Sequence, residues 1–212
     1  MFRQLLIQIF LWLVAMALLL FVPAGTLQWL AAWVFIIENI LLGLIIGIWL
    51  AKHDPALLKE RLSFIIQVDQ PWWDKILVII LFSLMIIWLP FIALDAVRFH
   101  YSYVPFMFQI IGALGIAISM YFNYLTFREN TFASPVVKIQ NERKQVVIST
   151  GPYAYVRHPM YTGAVFYFFG TPLLLGSWCG LIFPFYYLPC LLIEPIWKSK
   201  YYKKSWKGMK PI

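Results

Sequence analysis

The chain of 212 residues is 62% hydrophobic and only 12% charged, with a mean hydropathy of +0.78, which excludes an ordinary soluble globular domain. An all-α, polytopic membrane helical bundle is expected instead, forming a single integral membrane domain over residues 1–212. The formal net charge of +8 reads first as an orientation signal and second as attraction to anionic lipid, with no nucleic-acid partner expected.

Six apolar segments follow one another, at roughly 5–22, 29–50, 76–94, 106–127, 161–175 and 178–193, the last two short enough to form a tight helical hairpin. Arg3 before the first segment resembles the start of a signal peptide, but the segment is long and a second soon follows, so it reads as a retained helix. Of the 17 Lys and Arg residues, Arg98 alone falls on one side of the six-span arrangement. The others cluster in alternate segments: Arg3, the loop with Lys52, Lys59, Arg61 and Lys75, the loop from Arg128 to Arg157, and the tail from Lys198. By the positive-inside rule both termini and both long loops are cytoplasmic. The compact loops suggest a bacterial inner membrane.

Within the second span Glu38 and Asn39 sit at a depth where polar groups are costly and face the bundle or a cavity, either lining an acceptor cleft or staying neutral and hydrogen-bonded. The next loop carries DPALLKERL, a short amphipathic helix with Asp54 as N-cap for Pro55, and then PWWDK, whose paired tryptophans suit a membrane-interface belt. His53 and His100, near span ends, read as surface residues. Gly112, Gly115, Gly163 and Gly170 read as sites of close helix packing. In the loop from Arg128 to Arg157, apolar positions at Val136, Val137, Ile139 and 146–148 flank the polar run QNERKQ, a pattern that predicts a short hairpin or extended cover. Cys179 and Cys190 lack metal-ligand spacing and read as buried thiols; no metal site is expected.

The most informative stretch is GPYAYVRHPMYTG, Gly151 to Gly163. Gly151-Pro152 predicts a turn, and Pro159 has the fixed φ and missing donor that suit a first helical position, which puts Arg157 and His158 at a helix N-terminus. Such an end favours carboxylates and phosphates, and a guanidinium adds a bidentate partner for them. Tyr161 follows at helical spacing from both, so the three share a face.

QNERKQVVISTGPYAYVRHPMYTG resembles the signature of the isoprenylcysteine carboxyl methyltransferase family, whose wider group includes phospholipid methyltransferases. The resemblance covers roughly 130–176 and rests on G-P-Y-x-x-x-R-H-P-x-Y-x-G; ALLKERL and PWWDK also look like bacterial members. It implies S-adenosylmethionine as cofactor, bound at 128–163 together with the end of the last helix near 190–196. The implied cofactor contacts are Gln140, Gln145, Val146, Val147, Ile148, Tyr153, His158, Pro159, Met160, Tyr161 and Glu194, with Arg157, His158 and Glu194 as the catalytic set. Physically, the cofactor's carboxylate suits the helix N-terminus and His158, and its sulfonium suits the faces of Tyr153, Tyr155 and Tyr161. The partner expected is a lipid or lipophilic small-molecule acceptor reaching the site from the bilayer.

The chain departs from that pattern at its last helix. Family members carry an Arg followed four residues later by paired acids; here Cys190 stands for the Arg and Pro195 for the second acid, leaving Glu194 to hold the cofactor's ammonium. A catalytically degenerate binding or scaffold protein of the same fold is therefore the alternative reading. An NADPH-dependent sterol-type reductase ranks lower, and a transporter lowest, for want of repeats or paired broken helices.

Overall fold

The computed structural model describes residues 2–63, 70–133, 148–187 and 189. Among these the chain is helical, without a strand. The order is α1 (Phe2–Ala24), α2 (Leu30–His53), the short α3 (Pro55–Arg61), α4 (Trp72–Ala93) continuing into a π-helical turn (Leu94–Arg98), α5 (Phe106–Glu129), a 3-10 turn (Gly151–Ala154) and α6 (Pro159–Leu175). A second 3-10 turn (Cys179–Leu181) leads into helical residues 182–187.

Four of these helices, Phe2–Ala24, Leu30–His53, Trp72–Arg98 and Phe106–Glu129, are long and apolar enough to cross a membrane. Their outward faces are as apolar as their cores, with Phe10, Leu11, Leu41, Ile79, Phe106 and Leu114 exposed, the pattern of helices surrounded by lipid rather than water. One helix differs in its bounds from the sequence expectation. The helix expected at 76–94 begins at Trp72 and runs on to Arg98. PWWDK is therefore the first turn of α4, capped by Pro71, and Asp74 is buried there, accepting a hydrogen bond from Gln70 Nε2 at 2.7 Å, where a carboxylate complements the helix dipole. Helix α6 starts at Pro159, the first helical position expected from the motif, and, at 17 residues, spans only about 25 Å. The remainder of the segment expected at 178–193 lies outside the described residues beyond 189.

The core packs Leu20 of α1, Phe35 and Ile36 of α2, Trp88, Leu89 and Ile92 of α4, Ile116 of α5 and Leu175 of α6, all essentially inaccessible. Helices α5 and α6 run antiparallel in closest approach. A Cβ placed on Gly112 would stand 2.4 Å from the Leu174 nitrogen and 2.6 Å from the Gly170 oxygen, and one on Gly163 would stand 3.1 Å from the Ser119 oxygen. The glycines singled out in the sequence are thus what allows backbone to meet backbone. In mid-span, Asn39 Nδ2 donates to the Phe35 carbonyl at 2.8 Å while its Oδ1 accepts from the Tyr167 hydroxyl at 3.2 Å, joining α2 to α6. One carboxylate oxygen of Glu38 is buried without a hydrogen-bond partner among the described residues.

The two ends of the bundle are built differently. At one, Pro90 removes a helical donor from the last turn of α4 and the backbone widens into the π turn, with Phe99 N–H donating to the Leu94 carbonyl at 2.8 Å. Buried Asp95 accepts there from Ser177 Oγ at 2.5 Å. Gly176, at φ 87°, ends α6 in the left-handed conformation. At the opposite end α2 turns into α3 through Asp54, whose side chain accepts from the Leu57 N–H at 2.9 Å, the N-cap expected from the sequence. That second end also holds the start of α6.

Candidate functional site

Helix α6 opens as the motif predicted. His158 occupies the N-cap position, Pro159 begins the helix, and no side chain caps its first turn. The His158 and Tyr161 rings stand 5.3 Å apart between centroids, so the spacing read from the sequence does bring them onto one face. Pro159 is buried, Met160 and Tyr161 are half-buried, and Arg157 and His158 are exposed. Tyr155 is 90% exposed, so it is turned out of the group that Tyr153 and Tyr161 form on sequence grounds. Ile148 is half-buried; Gln140, Gln145, Val146, Val147 and Glu194, with Cys190, Pro195 and the expected hairpin apart from Ile148, lie outside the described residues.

The turn leading into α6 is lashed to the end of α5 by residues that the sequence did not single out. Asn130 Nδ2 donates to the Tyr153 hydroxyl at 2.8 Å, and Thr150 Oγ1 donates to Glu129 Oε2 at 2.9 Å. Glu129 also pairs with Arg128 at 3.4 Å. Gly151 has φ 57°, and a Cβ there would fall 2.4 Å from Glu129 Cγ; the position needs glycine both for its left-handed backbone and for its closeness to α5. Burial pushes the Tyr153 hydroxyl above its ordinary pKa, and the hydrogen bond from Asn130, which favours the phenolate, pulls partly the other way.

Beneath this turn α3 packs against the same helix end. Leu50, Leu57 and Leu58 are buried with Phe127 and Ala133, and Met160 joins them from α6. Asp54 binds the Thr131 hydroxyl, while Arg61 Nη1 donates to the Ala133 carbonyl at 2.9 Å and its guanidinium lies 4.2 Å over the Phe127 ring. Polar residues at the end of an apolar helix, Glu129 and Asn130, were the sequence signal available for this wall, but nothing in one chain distinguishes them from ordinary helix-end polarity.

These features define an integral membrane helical bundle with its candidate site at one end, where an uncapped helix N-terminus meets a lashed glycine turn. Residues 107–205 match the phospholipid methyltransferase family model, which bears out the resemblance carried by the Gly151–Gly163 motif. The matched segment takes in nearly all of α5, all of α6 and the stretch containing Cys190 and Glu194, and the family is one of phospholipid methyltransferases. No curated protein and no solved structure matches the chain.

Proposed function

We propose that the protein is an S-adenosylmethionine-dependent methyltransferase of the membrane, acting on a lipophilic acceptor that enters sideways from the bilayer. The observation that carries this reading is the uncapped start of α6, with His158 and Tyr161 on one face, inside the segment that matches a methyltransferase family. The bias of Lys and Arg toward this end supports a cytoplasmic site, and the compact loops fit a bacterial inner membrane.

The residues present fit the cofactor. Its carboxylate suits the positive dipole end at the start of α6 and the His158 ring; its sulfonium suits the faces of Tyr153 and Tyr161. Gln140, Gln145, Val146, Val147, Ile148, Pro159 and Met160 would form the remaining wall, and Glu194 would hold the ammonium. Bound there, S-adenosylmethionine supplies an electrophilic methyl group. The chain's own task is to hold the acceptor's lone pair in line with that methyl at about 3–3.5 Å and to exclude water, so positioning carries much of the rate. Arg157, beside the helix start, supplies a cation to an anionic acceptor. With a carboxylate acceptor, opposite charges partly cancel in the transition state and no general base is needed.

Calorimetric titration of S-adenosylmethionine into the purified chain tests this, beside His158→Ala and Glu194→Ala. Saturable binding weakened in both variants is expected; no binding to folded protein overturns the proposal. Cys190 and Pro195 favour a second reading, a cofactor-binding protein that has lost catalysis, because cysteine has no cationic fork with which to orient an acceptor. Cofactor binding without turnover on any lipid acceptor, with turnover appearing in Cys190→Arg, would establish that reading.

A further inference from the structure

Arg61 carries a charge that no acidic side chain among the described residues pairs with. Its guanidinium is desolvated against Phe127, which brings its pKa down to about 10, so it remains protonated at neutral pH. Among the described residues no carboxylate lies within ion-pair distance of it. Nη1 alone is engaged, with the Ala133 carbonyl. Nε and Nη2 donate to nothing among the described residues, yet neither is a sealed, unsatisfied buried atom. These two nitrogens form the side edge of the guanidinium, the parallel pair that grips a carboxylate or phosphate in bidentate fashion. A desolvated cation with one edge left open is costly unless an anion arrives to complete it.

The location fits such a ligand. Phe127 and Ala133, which hold the guanidinium, belong to the packed cluster that Met160 joins from the first turn of α6, and that turn has no side-chain cap of its own. The positive end of the helix dipole and the open edge of Arg61 thus belong to one end of the bundle.

We propose that Arg61, at the end of the bundle where α6 starts, forms a binding site for an oxyanion, a phosphate or carboxylate borne by a ligand that docks at this end of the bundle. Under the methyltransferase reading, on which only the ligand's identity rests, that oxyanion belongs either to the acceptor or to the cofactor. Two probes separate these sources: dihexanoyl phosphatidate, a short-chain phospholipid, and S-adenosylmethionine, each titrated into the full chain in a phosphate-free maltoside detergent. Arg61→Met is expected to weaken one of the two by about tenfold or more and leave the other within twofold, which a general packing defect would not do. Arg61→Lys keeps the charge and the stem but loses the fork, so it recovers only part of the affinity; it decides the question if Arg61→Met fails to fold. Loss on the phospholipid arm assigns the oxyanion to the acceptor, and loss on the other arm assigns it to the cofactor. Unchanged affinity for both probes in a folded variant, or binding of neither to the wild-type chain, overturns the site. Failure of the wild-type chain to bind S-adenosylmethionine while the phosphatidate arm responds to Arg61 defeats the methyltransferase reading and leaves the oxyanion site standing.

Discussion

Asn130, the residue that ends α5, donates from Nδ2 to the hydroxyl of Tyr153 at 2.8 Å, and so fixes the turn from which α6 starts. The bond matters because both groups are partly withdrawn from water: a donor or acceptor left unpaired there forfeits its solvation without replacement. Tyr153 is at once the third residue of the sequence motif and a strut between two helices.

Asn130→Ala should therefore loosen the approach to α6 without unfolding the bundle. A loss of about 1 kcal/mol is expected, equivalent to roughly fivefold weaker S-adenosylmethionine binding if the turn must be in place to bind. Calorimetry on the variant checks this, and affinity equal to wild type would show that the strut does not support the site.

Alkaline pH provides a separate handle on the same residue. Burial raises the Tyr153 pKa in the folded state, so its neutral form is the one the fold prefers. Its contribution is fully present below the unfolded value of about 10 and is lost as pH rises through the higher folded value. Wild-type melting temperature should fall more steeply above pH ~10 than that of Tyr153→Phe. Parallel curves for the two proteins would mean that Tyr153 is ionised as readily when folded as when unfolded.

Gly151 is tested by a single methyl group. Its φ of 57° is left-handed, and a Cβ would meet Glu129 Cγ at 2.4 Å, so Gly151→Ala combines backbone strain of about 1–2 kcal/mol with displacement of the Glu129 side chain that accepts from Thr150. Weaker cofactor binding with near-normal helical content is the expected result. If Gly151→Ala binds as wild type does, the turn adjusts and the lashing to Glu129 is dispensable.

How much of this was legible in the sequence depends on the kind of signal. Long apolar runs announce spanning helices whatever surrounds them, and four of the six expected spans are helices long and apolar enough to cross a membrane; Pro159 and Asp54 mark helix starts through local chemistry alone, and both do start helices. The beginning of α4 was misplaced because Trp72 and Trp73 are equally at home in an interfacial loop and in a first helical turn; what decides is the burial of Asp74 with its partner Gln70, a tertiary fact. His158 and Tyr161 could be paired by helical spacing. Asn130, Thr150 and Arg61 could not, because their partners lie 23, 21 and 72 residues away in the chain.

At the end of the bundle remote from the site, Ser177 serves two partners: its hydroxyl donates to Asp95 Oδ2 at 2.5 Å and accepts from the Gly180 N–H at 2.8 Å. Asp95 is buried, and its other oxygen already lacks a partner among the described residues. Ser177→Ala should thus cost about 1–3 kcal/mol, more than an average hydrogen bond, because it strips the carboxylate of its hydroxyl donor. Lower thermal stability with unaltered S-adenosylmethionine affinity is expected; an affinity change would couple the two ends of the bundle.

The antiparallel pair α5–α6 carries the site, and its spacing is set where Gly112 meets Gly170. Adding even a Cβ to Gly112 puts carbon 2.4 Å from the Leu174 nitrogen and 2.6 Å from the Gly170 oxygen, both backbone atoms that cannot rotate away. Gly112→Ala must then separate the helices, at a cost of about 1–3 kcal/mol, and shift the start of α6 relative to Asn130. Gly43, also within a spanning helix, has nothing within 4 Å of an added Cβ. Gly43→Ala should be neutral or stabilising by up to about 1 kcal/mol, since alanine is the better helix former. Thermal melts of the two variants in one detergent compare the same change of residue type with and without a backbone in its path. Equal losses in both would mean that glycine is needed for some property of the membrane helix itself, and that the close approach of α5 and α6 does not govern stability.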